Sequence, residues 1–456
     1  MTDRDCSSRY CIIGAGAAGI TAAKNLQQQG LAFDIIERED DVGGIWYYGC
    51  ASSAIYKSVH MISSKSFSEY TDFSMPDDYP TYARGDQALA YLRSYARHFG
   101  IYSHAEFGRT VLDIAPVPDS TLWDVTLDRN EVRRYKGVLV CNGHLCKPQL
   151  PDYPGHFDGL QLHSAQYKTP DVFKEQRVLV VGAGNSGCDI AVEAVHHAQA
   201  VFHSTRRGYF YWPKFLFGIP ADRWAEWPLK MRMPLWMRRV AGERLLRLTT
   251  AGQPEDYGLR KPDHRLFESH FIINSTLFYH LGHGDLAARP DVRELRGDSV
   301  LFSDGTEERV DVIIYATGFQ LSFPFINQTH LRWDKGRPQL YLNIFDAQHP
   351  SLFFIGLFQT STGNWPLMDY QAQLLSRYLR ARDLAPKKAE RFDELIQHDQ
   401  SKWNGGIHFS QTQRHAIELE HFAYRLKLKR LIRSLAATSV SAAAQSTPVS
   451  KGAAQA

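Results

Sequence analysis

Residues 10–23 read YCIIGAGAAGITAA, and residues 178–191 read VLVVGAGNSGCDIA. In each, a short apolar, β-prone run enters a glycine-rich turn and leaves as a run of good helix formers. Outward from the first turn, residues 10–13 read as a strand, residues 17–29 carry helical spacing, and FDIIE at 33–37 reads as a second strand. That order is a β-α-β unit. Outward from the second turn, RVLVV at 177–181, a helix over about 187–198 and AVFHST at 200–205 repeat it. The fold class expected is α/β, with two Rossmann-like dinucleotide-binding domains in one chain.

Each glycine of the first turn has its own task. Gly14 permits the tight turn after the strand, Gly16 lets backbone N–H groups approach a pyrophosphate, and Gly19 lets helix and strand pack closely. The helix N-terminus then faces the negative charge. Glu37, at the end of the second strand, can accept hydrogen bonds from a ribose hydroxyl pair. The second turn offers Gly182, Gly184 and Gly187, with Asn185 and Ser186 between them. Thr205 stands at the position matching Glu37, and Arg206 and Arg207 follow it. A carboxylate there would repel a ribose 2′-phosphate, whereas a guanidinium binds phosphate as a bidentate donor. An acid-tipped first site and a basic second site suggest FAD in the first and NADPH in the second, with hydride passing from nicotinamide to flavin. This is the plan of a glutathione-reductase-like flavoprotein whose FAD domain is discontinuous.

Length and composition agree with that plan. A chain of 456 residues is too long for one ordinary core. With 44% hydrophobic and 22% charged residues and a net charge of +3 it reads as globular, and nothing points to a nucleic-acid partner. The opening MTDRDCSSRY has no apolar core of the signal-peptide kind, and no run of about 18 apolar residues argues for a spanning helix or integral membrane association. Six cysteines without a C-x-x-C pair fit the reduced thiols of a cytoplasmic protein.

The domain reading is a first part of the FAD-binding domain at 1–168 and an NADPH-binding domain at 169–315, which carries an aromatic insertion at about 209–275. The second part of the FAD-binding domain and a helical C-terminus follow at 316–434, then a low-complexity tail, expected to be disordered, at 435–456. The insertion opens with YFYWPKFLFGIPADRWAEWPLKMRMPLWMRR at 209–239 and is expected to cap or wall a substrate channel. Pro213, Pro220, Pro228 and Pro234 interrupt any single amphipathic helix there.

FDGLQLHSAQYK, residues 157–168, lies between the two units. Here the chain resembles the flavin-containing monooxygenases, whose pattern F-x-G-x-x-x-H-x-x-x-[YF]-[KR] is filled by Phe157, Gly159, His163, Tyr167 and Lys168. The resemblance covers residues 8–385 or thereabouts. DVGGIW at 41–46 is similar to the family's GG-x-W turn, which implies flavin contacts for Gly44 and Trp46. IYKSV at 55–59 and DFSMPDDYP at 72–80 resemble its flavin-proximal region, and YATGF at 315–319 resembles its return motif, implying cofactor roles for Thr317 and Gly318.

The resemblance implies NADPH- and O2-dependent monooxygenation. NADPH reduces FAD, O2 adds at flavin C4a, and the resulting C4a-hydroperoxyflavin passes its distal oxygen to nitrogen or sulfur of a small organic nucleophile, while NADP+ stays bound. Tyr167 and Lys168 stand where Baeyer-Villiger relatives usually carry Trp and Pro, which favours N- or S-oxygenation. The family commonly has Asn in the run after Y-K-S-V. Here the run is HMISSK, and Ile62, which cannot donate a hydrogen bond, takes that place. Ser63, Ser64 or His60 would then substitute. Asn364, Trp365 and Pro366 open a helix with a capping Asn and Pro in the first turn. By resemblance this helix end points at the flavin, where its dipole favours reduced-ring charge. Ile62, Ser63 and Asn364 are the catalytic-site residues assigned on this basis.

His163 is expected to orient the segment between the domains, and the pair His280 and His283 lacks the further ligands of a metal site. The partners implied are a small-molecule substrate and O2, with a carrier protein as an option through the tail. Two alternatives stand beside N- or S-oxygenation. One is a Baeyer-Villiger or oxygen-inserting monooxygenase acting on a carbonyl, and the other is an FAD-dependent NADPH oxidase or reductase.

Overall fold

The structure is a computed structural model that describes residues 2–249, 252–399, 404–410 and 416–435. Strand Thr2–Ile13 runs parallel to Phe33–Ile36 on one side and to Glu131–Val140 on the other, with Ile12 opposite both Ile35 and Leu139. Ala105–Glu106 and Leu352–Phe354 extend the parallel set outward. The central strands are buried, so they read as unbroken apolar runs rather than alternating ones. Shorter antiparallel strands complete a nine-stranded sheet. The first strand is longer than the expected 10–13. Its polar beginning, Thr2–Cys6, pairs with Glu131–Tyr135 beyond a register shift, and no apolar run marks it in the sequence.

The second sheet has five strands, ordered Ala287–Arg289, Ala200–Ser204, Arg177–Val181, Val312–Tyr315 and Leu160–His163, and every pairing is parallel. Helix Ala17–Gln28 follows the first strand of the first unit, as the spacing predicts. Helix Asn185–Val195 begins and ends slightly earlier than the expected 187–198, because it starts directly at the turn. Strand pairing also moves the expected boundary after residue 168. Gly155–Phe157 and Leu160–His163 already pair with Val292–Gly297 and Val312–Tyr315 of the second unit, so the chain crosses before Gly155. The outward and return crossings lie side by side, Lys147–Pro148 pairing antiparallel with Phe319–Gln320.

The insertion holds two helices, Ala221–Lys230 and Leu235–Thr249. Pro228 sits inside the first instead of interrupting it, at the loss of one helical hydrogen bond. The C-terminal part is helical at Trp365–Leu384, Pro386–His398 and His421–Leu435. Leu435 therefore ends a helix, and the rest of the expected tail, 436–456, lies outside the described residues. No helix among the described residues is long and apolar enough to cross a membrane.

Helices Ala17–Gln28 and Trp365–Leu384 are joined by a buried acid. Asp369 is 0% exposed and accepts from Thr21 Oγ1 at 2.9 Å, Lys24 Nζ at 2.9 Å, Asn25 Nδ2 at 2.8 Å and Gln373 Nε2 at 3.0 Å, with Thr71 as a further donor. Burial pushes its carboxyl up, but Lys24 and the hydroxyl and amide donors outweigh burial and hold it below the ordinary carboxylate value. A depressed native pKa contributes stability that is present above the ordinary value and lost as pH falls through the native one. Asp369→Ala leaves buried donors unmatched and should cost about 3 kcal/mol in urea unfolding. Asp369→Asn should flatten the acid limb of stability against pH, and an unaltered limb would contradict this role.

Candidate functional site

The first glycine turn is shaped by close backbone approaches. Gly14 takes φ +101°, and a Cβ on it would lie 2.9 Å from the Cys141 carbonyl oxygen. A Cβ on Gly19 would lie 1.9 Å from the Gly14 carbonyl oxygen, so the helix reaches its own turn only without one. Gly16 faces the GG-x-W turn, where a Cβ on Gly44 would come within 3.0 Å of Gly16 Cα. The Gly43 N–H donates to the Ala15 carbonyl at 3.1 Å, and Trp46 meets Trp365 edge-on at 5.8 Å between centroids. Glu37 is 6% exposed and accepts from the N–H groups of Ala15 at 2.5 Å and Glu39 at 3.0 Å. Burial raises its carboxyl above the ordinary value against the pull of those two amides. Gly16 caps the helix without a side-chain bond, and no acid occupies the first turn. The terminus is therefore open to an anion.

The second turn repeats the first. A Cβ on Gly187 would lie 2.0 Å from the Gly182 carbonyl oxygen, and Gly184 caps helix Asn185–Val195, again without a side-chain bond. Asn185 Oδ1 accepts from the Ile273 N–H of the insertion at 2.7 Å, while Ser186 is exposed. Thr205 is buried beyond the end of Ala200–Ser204, its N–H on the Arg289 carbonyl at 3.0 Å. The two arginines differ. Arg207 spans both oxygens of Asp263 at 2.7 and 2.9 Å and brings that carboxyl down to about 2. Arg206 is exposed and forms no ion pair among the described residues. The two arginines expected to meet a 2′-phosphate thus differ in their partners, Arg207 being paired with Asp263 and Arg206 with no acid among the described residues.

The FDGLQLHSAQYK stretch ties the two units at three points. His163, 1% exposed, accepts the Ala165 N–H at Nδ1 and donates from Nε2 to the Gly318 carbonyl at 3.0 Å. Burial pushes its imidazole below the ordinary value. Tyr167 Oη donates to Glu193 Oε2 at 2.7 Å on helix Asn185–Val195. Lys168 Nζ donates to the carbonyls of Ser53 at 2.9 Å and Ile55 at 3.1 Å in the first unit. Thr317 and Gly318 form the return crossing, where the Gln149 N–H donates to the Gly318 carbonyl at 2.9 Å and Thr317 Oγ1 donates to the Gln149 carbonyl.

Of the three residues assigned to the catalytic site, Ser63 and Asn364 sit in segments that meet. Ser63, 6% exposed, donates to Ser68 Oγ at 2.8 Å, since the Ser68 hydroxyl proton goes to the Ser64 carbonyl at 2.9 Å. The Phe67 carbonyl presses on Gly363, where a Cβ would lie 1.9 Å from it. Asn364 is next in the chain. It stands at the N-cap position but does not cap; its Oδ1 accepts from Thr360 Oγ1 at 2.9 Å, so its role differs from the capping Asn expected. Ile62 instead packs against the insertion's cluster of Trp212, Leu216, Leu246, Leu266 and Ile273. His60 is exposed and bonded to the Ser58 carbonyl, which removes it as a stand-in for the family asparagine. Sequence reasoning missed Asp222, whose buried carboxylate holds Ser64. The only signal was an acid within an aromatic insertion. His280 and His283 bond separately, to Asp285 and to the Tyr279 carbonyl.

A family described as flavin-binding monooxygenase-like matches residues 7–443. The chain belongs to the flavin-binding monooxygenase family. It is 35% identical over 423 residues to flavin-containing monooxygenase 1 of Homo sapiens, covering 88% of this chain and 79% of that protein. It is 33% identical over 436 residues to flavin-containing monooxygenase 5 of Oryctolagus cuniculus, covering 90% and 80%. Among solved structures, S-allyl-L-cysteine S-oxygenase from Allium sativum is similar with a TM-score of 0.64 at 22% identity, covering 93% of this chain and 88% of that one. Cyclohexanone monooxygenase bound to epsilon-caprolactone is similar with a TM-score of 0.71 at 19% identity, covering 96% and 98%. At such identities these structures speak for the fold.

As a member of this family the chain is an NADPH-dependent monooxygenase that uses FAD. The residues present fit both groups. The first turn offers an uncapped helix end, Cβ-free backbone at Gly14 and Gly16, and the buried acid Glu37. The second offers an uncapped helix end and the free guanidinium of Arg206. Arg206→Ala should raise the KM for NADPH on the order of tenfold with little change for NADH. Arg207→Ala should disturb the preference less, because its partner is Asp263. Steady-state kinetics with both cofactors checks this, and equal shifts for NADPH and NADH in Arg206→Ala would contradict it.

Proposed function

We propose that this monooxygenase oxygenates a soft nucleophile, an amine nitrogen or a sulfide sulfur, on a small free molecule. The observation that carries this reading is that none of the three assigned residues titrates, the buried acid that meets this segment, Asp222, being engaged by Ser64. Ile62, Ser63 and Asn364 supply an alkyl group, a hydroxyl bonded to Ser68 and an amide whose oxygen accepts from Thr360. A nucleophile that attacks oxygen directly needs no base to activate it, so such a wall suffices. Tyr167 and Lys168, which stand where Baeyer-Villiger relatives usually carry Trp and Pro, support the same branch.

When bound, reduced FAD supplies the O2 chemistry, and the balance is NADPH, a proton, O2 and substrate giving NADP+, water and the oxygenated product. The chain's own residues bind, orient and exclude. The backbone amides after Gly14 and Gly182 would hold the pyrophosphates, Glu37 holds the first turn and would accept from the ribose, and Arg206 would hold the 2′-phosphate. The insertion packs apolar side chains against Ile62 and would keep water from atoms reacting beside it. The Asn364 amide and the start of helix Trp365–Leu384 would favour negative charge on a flavin held beside them. All six cysteines are free thiols, which supports a cytoplasmic setting.

Competition of a tertiary amine, a thioether and a cyclic ketone for the FAD-loaded enzyme, with NADPH and O2, tests the reading by product analysis. N-oxide or S-oxide formed in step with NADPH consumption is the expected result. Lactone as the dominant product, or complete recovery of the electrons as hydrogen peroxide with every substrate, would overturn it.

A further inference from the structure

Asp222 lies in the first turn of helix Ala221–Lys230, is 9% exposed, and has no ion-pair partner among the described residues. A carboxylate buried without a cation is costly. Its two oxygens are nevertheless both used, and both on one residue of the first unit. Oδ2 accepts the Ser64 N–H at 2.6 Å, and Oδ1 accepts the Ser64 Oγ–H at 3.0 Å. Asparagine has one carbonyl oxygen where the carboxylate has two, and here each Ser64 donor meets an oxygen of its own. The helix N-terminus gives that charge further support. Burial raises this carboxyl above its ordinary value, and the Ser64 donors work against burial.

Ser64 is a central point of its segment. The amides of Met61 and Lys65 donate to the Ala83 and Thr81 carbonyls at 2.8 Å each, while the Ser64 amide goes to the insertion. The Ser64 carbonyl accepts from Ser68, and Ser68 accepts from Ser63. Phe67 then abuts Gly363, the neighbour of Asn364. The insertion is anchored beside this point as well, where Tyr82 Oη donates to the Lys214 carbonyl and the Tyr82 ring meets Phe215 edge-on at 5.3 Å. On its other side the insertion holds the second unit, through Ile273 to Asn185 and Asn274 Nδ2 to Asp189 at 2.7 Å.

We propose that Asp222 is a positioning residue for oxygenation: it latches the insertion to Ser64 and so sets the wall that runs from Ile62 through Ser68 to Asn364. The inference rests on the reading of that wall as the oxygen-transfer side of the site. A loosened latch lets water in and lets the wall shift, so reducing equivalents leave as hydrogen peroxide instead of entering product. NADPH binding, which depends on the second turn, is affected less.

The test compares Asp222→Ala, Asp222→Asn and Ser63→Ala with the parent, all loaded with FAD and using one accepted amine or thioether. Hydrogen–deuterium exchange of residues 60–68 reads the latch, and the ratio of peroxide to product reads coupling. In Asp222→Ala, exchange of that segment should rise about tenfold or more. The peroxide ratio should rise several-fold, and kcat for product should fall by a larger factor than KM for NADPH rises. Asp222→Asn, nearly the same shape, should fall between parent and Ala, which keeps the test decisive if Asp222→Ala does not fold. Unchanged exchange in both variants overturns the latch. Faster exchange with normal coupling, while Ser63→Ala is uncoupled, overturns the positioning role but leaves the site reading intact. Normal coupling in all three overturns the site reading and the inference with it.

Discussion

Two helices in this chain approach the carbonyl oxygen of their own entry turn so closely that no side chain fits between. A Cβ would come to 1.9 Å at Gly19 and 2.0 Å at Gly187, far inside contact distance. The approach sets the angle at which each helix leaves its sheet and aims its uncapped terminus at the turn's mouth. A negative pyrophosphate is stabilised there by backbone donors and the helix dipole together. Everything downstream inherits that geometry, because Glu37, the GG-x-W turn and the arginines after the second unit are placed relative to those two mouths.

Two such units must also be held at a fixed separation for hydride to pass between their ligands. Polar ties across the crossing segments meet that need. His163 bonds the return strand at Gly318, Tyr167 bonds the second unit at Glu193, and Lys168 bonds the first unit at Ser53 and Ile55. Three of the five fixed positions of the FDGLQLHSAQYK pattern, His163, Tyr167 and Lys168, are thus joints between the units. The insertion acts as a second tie, reaching Ser64 in the first unit and Asn185 in the second.

The β-α-β units were legible in the sequence because their signal is local: apolar runs of strand length, glycines at fixed offsets and an acid or a base at the end of the second strand. The N-terminal half of the first strand was not, since Thr2–Cys6 is polar and becomes a strand only through Glu131–Tyr135. The same holds for the crossing before Gly155, which depends on pairing with strands far along the chain. In the site, the glycines of the two turns could be read directly, and the proposed roles of Glu37 and Arg206 rest on their offsets from those turns. Arg207 could not be told from Arg206 without Asp263, and Asp222 could not be told from any surface acid without Ser64. Residues whose role lies in a distant partner carry no local pattern.

The division of labour between the two turns is tested most directly without oxygen. FAD-loaded protein is mixed anaerobically with NADPH, and both flavin retention and loss of oxidised-flavin absorbance are followed in the parent, Gly19→Ala and Gly187→Ala. Gly19→Ala should lose its flavin, while Gly187→Ala should keep the flavin yet fail to be bleached by NADPH. A Gly187→Ala protein that bleaches as the parent does, or one that loses FAD while Gly19→Ala retains it, would contradict the assignment of one cofactor to each turn.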